Sequence, residues 1–321
     1  MSTCSTSSRQ LDEPVAATAA TATTWLLLEQ PGPWGAKALT SSHLDPALGR
    51  ALERAVQGTG VRVALIRRPG RHADRRTRPV RSVRQVYAAH TVPGNVSLHS
   101  ATTTDPDDLL ALDFAALGKG DHHTFDAALR GGPHTGDPLA LVCTNGKRDQ
   151  CCALLGRPLA AELASSGVQD VWEVTHLGGH RFSPTLLVLP FGYAYGRAEA
   201  HAVKEVLHGV SEGRVVLEGC RGRTAWERPG QAAELAVREA AGEFRADALS
   251  VVRTEDLLTA GSAPCWEVTV AHADGRRWRV TVVQRAALPP HPESCGASPL
   301  GGPTRMEVVA VREPATAPLA C

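Results

Sequence analysis

Residues 139–156 read LALVCTNGKRDQCCALLG, and this stretch decides the fold prediction. LALVC is typical of a buried strand, and a helix is predicted from about Asp149, interrupted or restarted at Pro158. Downstream, DVWEVTH is a predicted strand, TLLVLP and YAYG form a predicted hairpin, and AEAHAVKEVLHG is a predicted helix. The order strand, helix, strand, hairpin, helix is that of a thioredoxin-like fold. We therefore predict an α/β chain with a thioredoxin-like domain over residues 131–222.

The sequence before this domain divides into two predicted segments. Residues 1–23 are rich in Ser, Thr and Ala, which is the composition of a disordered tail. Residues 24–130 form a predicted α/β unit that runs strand, helix, strand and is a candidate degenerate copy of the thioredoxin-like domain. Residues 45–57 and 107–118 are predicted amphipathic helices, and residues 61–66 and 83–90 are predicted strands.

The last part of the chain, residues 223–321, is predicted to be a small α+β segment. A helix begins near Pro229, and two strands, CWEVTVAHA and RWRVTVV, follow with the turn residues DG between them. Large apolar side chains alternate along both strands, which indicates a hairpin with one buried face. These side chains are Trp266, Val268 and Val270, and Trp278, Val280 and Val282.

The composition limits the classes of protein to which the chain can belong. With 321 residues, 43% hydrophobic content and a net charge of +1, it has the composition of a soluble globular protein rather than of a polycationic nucleic-acid binder. No run approaches the roughly 18–20 apolar residues that cross a bilayer. Eight cysteines without a secretion signal favour a reducing cytoplasm. Eight arginines lie between Arg67 and Arg84, and a solvated loop is favoured there over a nucleic-acid or acidic-partner site.

Cysteines and histidines follow two successive predicted strands and point to a metal centre. Cys143 ends the first strand, and Cys151 and Cys152 lie near the start of the next helix, where thiolates are favoured. His176 and His180 follow the second strand and flank two glycines, so they belong to a loop that can curl around one centre. A single buried cysteine or histidine is more often a core residue. The whole set requires a joint explanation.

The spacing leaves the metal open. Two cysteines and two histidines suit tetrahedral zinc, which would make the chain a zinc-stabilised interaction protein. Neither zinc-finger spacing nor a His-Glu-x-x-His motif is present, however. The same residues equally suit a [2Fe–2S] cluster with two Cys and two His ligands, although the Rieske sequence is absent. A third hypothesis is a thiol oxidoreductase that uses the vicinal pair Cys151–Cys152. The absence of Cys-x-x-Cys after the strand counts against it.

Four motifs resemble those of the sucrase/ferredoxin-like family over roughly residues 24–300. They are CTNGKRDQCCALLG, HLGGHRFSPTLLVLPFGYAYGR, EQPGPWGAKAL and CRGRTAWERPGQAAELA. The resemblance implies a thioredoxin-like ferredoxin with a [2Fe–2S] cluster bound by Cys143, Cys152, His176 and His180. The Arg-Asp spacing of the family pattern selects Cys152, which leaves Cys151 as the alternative ligand.

The resemblance also implies an electron carrier or redox component rather than a stand-alone enzyme. Its partner is then a redox protein, since no dinucleotide fingerprint follows a strand. Sucrase activity has no support, because no carboxylate pair has a spacing that would indicate a glycosidase. Cys220 is a candidate ligand only if neither Cys151 nor Cys152 binds the metal. The remaining cysteines are assigned no role: Cys4, Cys265, Cys295 and Cys321.

Overall fold

A computed structural model describes residues 3–70, 82–257, 263–287, 289–298 and 302–313. Within these residues the chain is mixed α/β, with one ten-stranded sheet and one four-stranded sheet, which confirms the predicted fold class. The strands of the large sheet are β1 (Thr24–Glu29), β2 (Val61–Arg67), β3 (Arg84–His90), β4 (Ser97–Thr103), β5 (Gly132–Pro133), β6 (Leu139–Cys143), β7 (Val171–Val174), β8 (Leu186–Leu189), β9 (Tyr193–Tyr195) and β10 (Cys220–Arg223).

Seven α-helices lie in the described residues. They are α1 (Cys4–Gln10), α2 (Pro46–Ala55), α3 (Phe114–Leu117), α4 (His123–Leu129), α5 (Arg157–Ser165), α6 (Ala200–Ser211) and α7 (Arg228–Ala241). Short 3₁₀ turns cover Pro106–Ala111 and His180–Phe182, and a π turn covers Cys152–Gly156.

The large sheet contains the same arrangement of strands twice. Its order is β10-β9-β8-β6-β7-β2-β1-β3-β4-β5. In the first half β1 and β2 are parallel and joined by α2, and β3 and β4 add antiparallel on the far side of β1. In the second half β6 and β7 are parallel and joined by α5, and β8 and β9 add in the same way. The halves meet where β2 pairs antiparallel with β7, so the sheet is continuous across the predicted boundary at residue 130.

Both faces of the central strands are covered, which explains their uninterrupted apolar sequences. Along β1, Leu26 and Leu28 pack with α2, α3 and α4, whereas Trp25 and Leu27 pack on the opposite face. Along β6, alternate residues likewise join different clusters, and Cys143 shares its cluster with Cys152, Trp172 and Leu177. Cys143, the last residue of β6, is therefore buried on one face of the sheet, away from solvent.

The predicted C-terminal hairpin is confirmed as part of a larger antiparallel sheet. It consists of β11 (Leu249–Asp256), β12 (Cys265–His272), β13 (Arg277–Ala286) and β14 (Thr304–Arg312). Val270 pairs with Trp278 across the hairpin, and the alternating side chains pack against α7 through Ala232, Ala233 and Val237. The outer strands β11 and β14 were not part of the prediction.

Two predictions about local structure are wrong. Residues 107–118 do not form one amphipathic helix, because the chain is extended at Leu112 and Asp113 caps a separate short helix, α3, by accepting from Ala116 N. Residues 3–23 do not form a disordered tail. Helix α1 buries Cys4, Ser5 and Ser8, and the chain that follows hydrogen-bonds to the backbone of β10 and of Thr224.

Residues 3–23 are called the N-terminal arm below. Its small side chains allow close packing against the rest of the protein, so the same composition that suggested disorder suits a tightly fitted segment. Buried Glu13 accepts from Arg181 at 2.9 Å and lies 2.9 Å from His291 Nε2. The arm thus contacts both the histidine loop and the C-terminal part of the chain.

Candidate metal centre

The loop after β6 is shaped by its polar side chains and one glycine. Asn145 Oδ1 accepts from Lys147 N at 3.2 Å, and Asp149 Oδ1 accepts from Cys151 N at 2.9 Å. The π turn that begins at Cys152 follows, a local geometry common at functional sites. A Cβ at Gly156 would lie 2.1 Å from Cys143 O. Gly156 therefore lets this turn pack directly on the end of β6, which brings Cys152 beside Cys143.

The histidine loop requires both of its glycines. Gly178 and Gly179 have φ of +80° and +67°, in the left-handed region that favours glycine. A Cβ at Gly179 would also lie 2.1 Å from Arg221 Nη2. Arg221 donates to Gly178 O at 3.0 Å and so holds the loop in place. The sequence analysis noted Cys220 of this strand and overlooked Arg221 beside it.

The two histidines lie side by side with unpartnered nitrogens. Their ring centroids are 5.3 Å apart. Nδ1 of His176 and Nδ1 of His180 are both buried, and neither has a hydrogen-bond partner among the described residues. Burial lowers the pKa of His180, which favours the neutral imidazole that binds metals. These two nitrogens are available as ligands.

Cys143 and Cys152 form a buried pair of thiols with opposite pKa shifts. Hydrogen bonding to Cys152 holds the pKa of Cys143 well below its usual range, and His176 and the backbone N–H of Leu177 act in the same direction. The pKa of Cys152 is raised, first by its hydrogen bond with Cys143 and then by burial. When protonated, the Cys143 thiol donates to Thr175 O at 3.0 Å. The pair thus contains one readily ionised thiol.

Half-buried Arg62 and fully buried Arg221 place positive charge beside these thiols. Arg62 donates to His176 O at 2.9 Å, and its guanidinium interacts with Cys143. Arg221 interacts with both thiols, and its burial lowers its own pKa to about 10. A buried cation stabilises added negative charge more strongly than an exposed one does, because water screens it less.

The four predicted ligands form one series of contacts, from Cys152 through Cys143 and His176 to His180. Their role as ligands stays a prediction. Cys220 is not part of this series, because it packs in the cluster on the opposite face of the sheet, where burial raises its pKa to about 12.

A second group of potential ligands adjoins the first. The ligand atoms of Cys4, Asp149, Cys151 and Cys295 all lie within 4.8 Å of one another, the only such group of three or more among the described residues. This buried group could bind a metal ion. Cys151 belongs to it rather than to the Cys143–Cys152 pair. The vicinal cysteines thus have different neighbours, which disfavours their use as one redox pair.

Cys4 and Cys295 were assigned no role from the sequence, because no local pattern links them to Cys151. Cys4 lies 147 residues before Cys151, and Cys295 lies 144 residues after it. Hydrogen bonding with Cys4 lowers the pKa of Cys151 to about 5, with a further contribution from Ser5.

The arginine-rich segment lies mostly outside the described residues, since 71–81 are not described. At its ends, Arg67 pairs with buried Glu173 at 2.6 Å, and Arg84 donates to Gln30. These two arginines hold the sheet together.

Comparison with known proteins identifies the family. The sucrase/ferredoxin-like family model matches residues 15–222. This chain belongs to the sucrase/ferredoxin-like family. No curated protein and no solved structure matches it. None of the described helices combines the length and apolar character needed to span a bilayer.

Proposed function

We propose that this chain is an iron–sulfur redox protein that carries one electron through a [2Fe–2S] cluster bound by Cys143, Cys152, His176 and His180. The observation that carries the proposal is the pair of buried, unpartnered Nδ1 atoms of the two histidines. A buried polar atom without a partner costs about 1–3 kcal/mol. A bond from each nitrogen to a metal removes that cost, and two imidazoles with unpartnered Nδ1 atoms beside two thiols are the donor set of a Cys2His2 centre.

The residues present fit this group. Such a cluster supplies a one-electron couple, and neutral imidazoles in place of two thiolates raise its potential above that of an all-cysteine ferredoxin. The low pKa of Cys143 favours the thiolate form that metals bind. The backbone N–H of Leu177 donates to the same sulfur and so stabilises charge on it.

Arg62 and Arg221 have a distinct role in this proposal. Each places a buried or half-buried guanidinium beside Cys143, where it favours the more negative, reduced state of the centre. Arg221 also anchors the histidine loop through Gly178 O. Leu177 and Phe182 are buried beside the histidines and exclude water from this side.

The topology of the second half supports the thioredoxin-like interpretation of residues 131–222. Its strands lie in the spatial order β7-β6-β8-β9. Cys143 is the last residue of β6, and the histidine loop connects β7 to β8. The first half has the matching order β2-β1-β3-β4, as a degenerate copy would.

The redox partner in this proposal is an acidic protein. Lys147, Arg148 and Arg157 are exposed around the cysteine loop, and Leu154 is 60% exposed among them. A basic rim around an apolar contact matches a partner with the opposite charge. The rate of reduction by such a partner should fall as ionic strength rises, whereas a rate independent of salt would contradict the charge match.

Metal analysis after anaerobic purification tests the function. The protein should contain about two irons and two sulfides per chain and show visible absorption. His176→Ala should lose most of the iron and the colour, whereas His201→Ala, at an exposed histidine of α6, should keep both. A colourless protein that holds zinc at these four residues, even after cluster reconstitution, would replace electron transfer with a zinc-stabilised scaffold.

A further inference from the structure

Three thiols converge from parts of the chain that are far apart in sequence. Cys4 Sγ lies 3.5 Å from Cys151 Sγ, Cys151 Sγ lies 3.3 Å from Cys295 Sγ, and Cys295 Sγ lies 3.5 Å from Cys4 Sγ. The two carboxylate oxygens of Asp149 lie 3.9 and 3.8 Å from Cys4 Sγ. Cys4, Cys151 and Asp149 are buried, and Cys295 is half-buried, so the group is accessible from one side.

These separations match a single tetrahedral ion. With Zn–S bonds of about 2.3 Å, two thiolates of a tetrahedron lie about 3.8 Å apart, and with a Zn–O bond of about 2.1 Å a thiolate and a carboxylate oxygen lie about 3.6 Å apart. The three sulfur–sulfur distances lie within about 0.5 Å of the first value, and those from Cys4 Sγ to the Asp149 oxygens lie within about 0.3 Å of the second. A cluster of several irons would hold the sulfurs farther apart, because each iron needs its own thiolate.

The surroundings of the group also suit a bound cation. Asp149 is held by two backbone donors, Cys151 N to Oδ1 at 2.9 Å and Cys295 N to Oδ2 at 2.8 Å. The hydroxyl of Ser5 donates to Cys151 Sγ at 3.3 Å. Donors of this kind orient metal ligands and stabilise thiolate charge. If all three thiols lose their protons, the group holds four negative charges, and a bound cation supplies the positive charge that compensates them.

We propose that Cys4, Cys151, Cys295 and Asp149 bind one zinc ion, which fastens the N-terminal arm and residues 289–298 to the cysteine loop. Binding transfers the thiol protons to solvent and leaves three thiolates and a carboxylate on the metal. The four protein ligands complete the coordination, as in structural zinc sites. Cys151 is thereby the zinc ligand, while its neighbour Cys152 faces Cys143. The two sites adjoin, because Asp149 Oδ2 lies 3.7 Å from His180 Nε2, but they share no ligand.

Zinc and iron are measured separately in protein purified anaerobically from cells supplied with both metals. The full-length protein should contain about one zinc per chain. Cys4→Ser and Cys295→Ser should each reduce zinc to near zero. Cys265→Ser is the matched control, since it removes a half-buried thiol of β12 outside the group, and should keep the zinc. Wild-type protein without zinc, or zinc retained in both variants, would overturn the proposal.

X-ray absorption at the zinc edge of the wild-type protein tests the ligands without any variant. The expected shell has three sulfurs at about 2.3 Å and one oxygen at about 2.0–2.2 Å. A shell of two sulfurs and two nitrogens would place zinc on the histidines instead and would overturn the assignment. In protein without zinc, a disulfide located by peptide mapping between two of these three cysteines would have the same consequence. Iron content tests the proposed function alone, so the two proposals fail independently.

Discussion

Arg238→Met should destabilise the protein strongly, because Arg238 is the centre of a buried polar network. Its side chain and that of Glu234 are both 0% exposed, and they pair at 2.9 Å within α7. Arg238 also donates to the hydroxyl of Tyr193 at 2.8 Å, which connects α7 to β9 of the large sheet. It further donates to three backbone carbonyls, those of Glu243, Arg245 and Ala246.

The expected loss follows from what the substitution leaves behind. Methionine keeps the apolar stem and removes the guanidinium, so Glu234 remains a buried carboxylate without its cation. Removing one partner of a buried pair costs about 3–5 kcal/mol, a large part of the 5–15 kcal/mol by which proteins are stable. With a urea dependence of about 2–3 kcal/mol per molar, the unfolding midpoint should fall by about 1–2 M.

Urea unfolding followed by circular dichroism measures this change. Arg253→Met is the control, since Arg253 and Glu255 are 68% and 42% exposed and their pair should contribute no more than about 1 kcal/mol. The double variant Arg238→Met with Glu234→Gln should regain part of the loss, because it removes the unpaired charge. If Arg238→Met lies within about 1 kcal/mol of wild type, the network does not hold α7 as argued.

Three further predictions address the metal centre and the pH dependence of stability. Arg221→Gln should make the reduction potential more negative, by on the order of tens of millivolts in a voltammetric titration, because a buried cation is lost; an unchanged potential would contradict this. Gly179→Ala should lose iron and should destabilise the fold more than Gly213→Ala does. At Gly213 φ is also positive but no atom lies within 4 Å of the added Cβ, so roughly 1–2 kcal/mol is expected there and well over that at Gly179. Equal effects in urea unfolding would refute the steric argument. Hydrogen bonding to Arg245 lowers the pKa of Glu243 from 4.5 to about 2. The contribution of Glu243 to stability is therefore present above pH 4.5 and is lost as the pH falls toward 2. Glu243→Gln should flatten this part of the curve of melting temperature against pH.

The sequence predicted those features that depend on local pattern. The apolar run of β6 indicated a buried strand, and the alternation around Trp278 indicated a half-buried hairpin. Cys143 and His176 were predicted to follow two successive strands, and these strands, β6 and β7, pair in parallel.

Other features depend on contacts between distant residues and leave no local signal. The N-terminal arm has a polar, small-residue composition, and only its contacts, such as Glu13 with Arg181, show that it is fitted to the protein. Cys4 and Cys295 become informative only when the fold brings them to Cys151. The prediction of one helix over residues 107–118 was wrong because Asp113 caps a separate helix there, although the apolar spacing is that of a continuous helix.

Pulsed EPR of the reduced protein, with histidine labelled by ¹⁵N, tests the proposed electron-transfer centre most directly. We expect hyperfine coupling from two imidazole nitrogens, with one coupling lost in His176→Cys and the other in His180→Cys. Retention of both couplings in either variant would contradict the assigned ligands. A reduced protein with no iron signal would contradict the cluster itself.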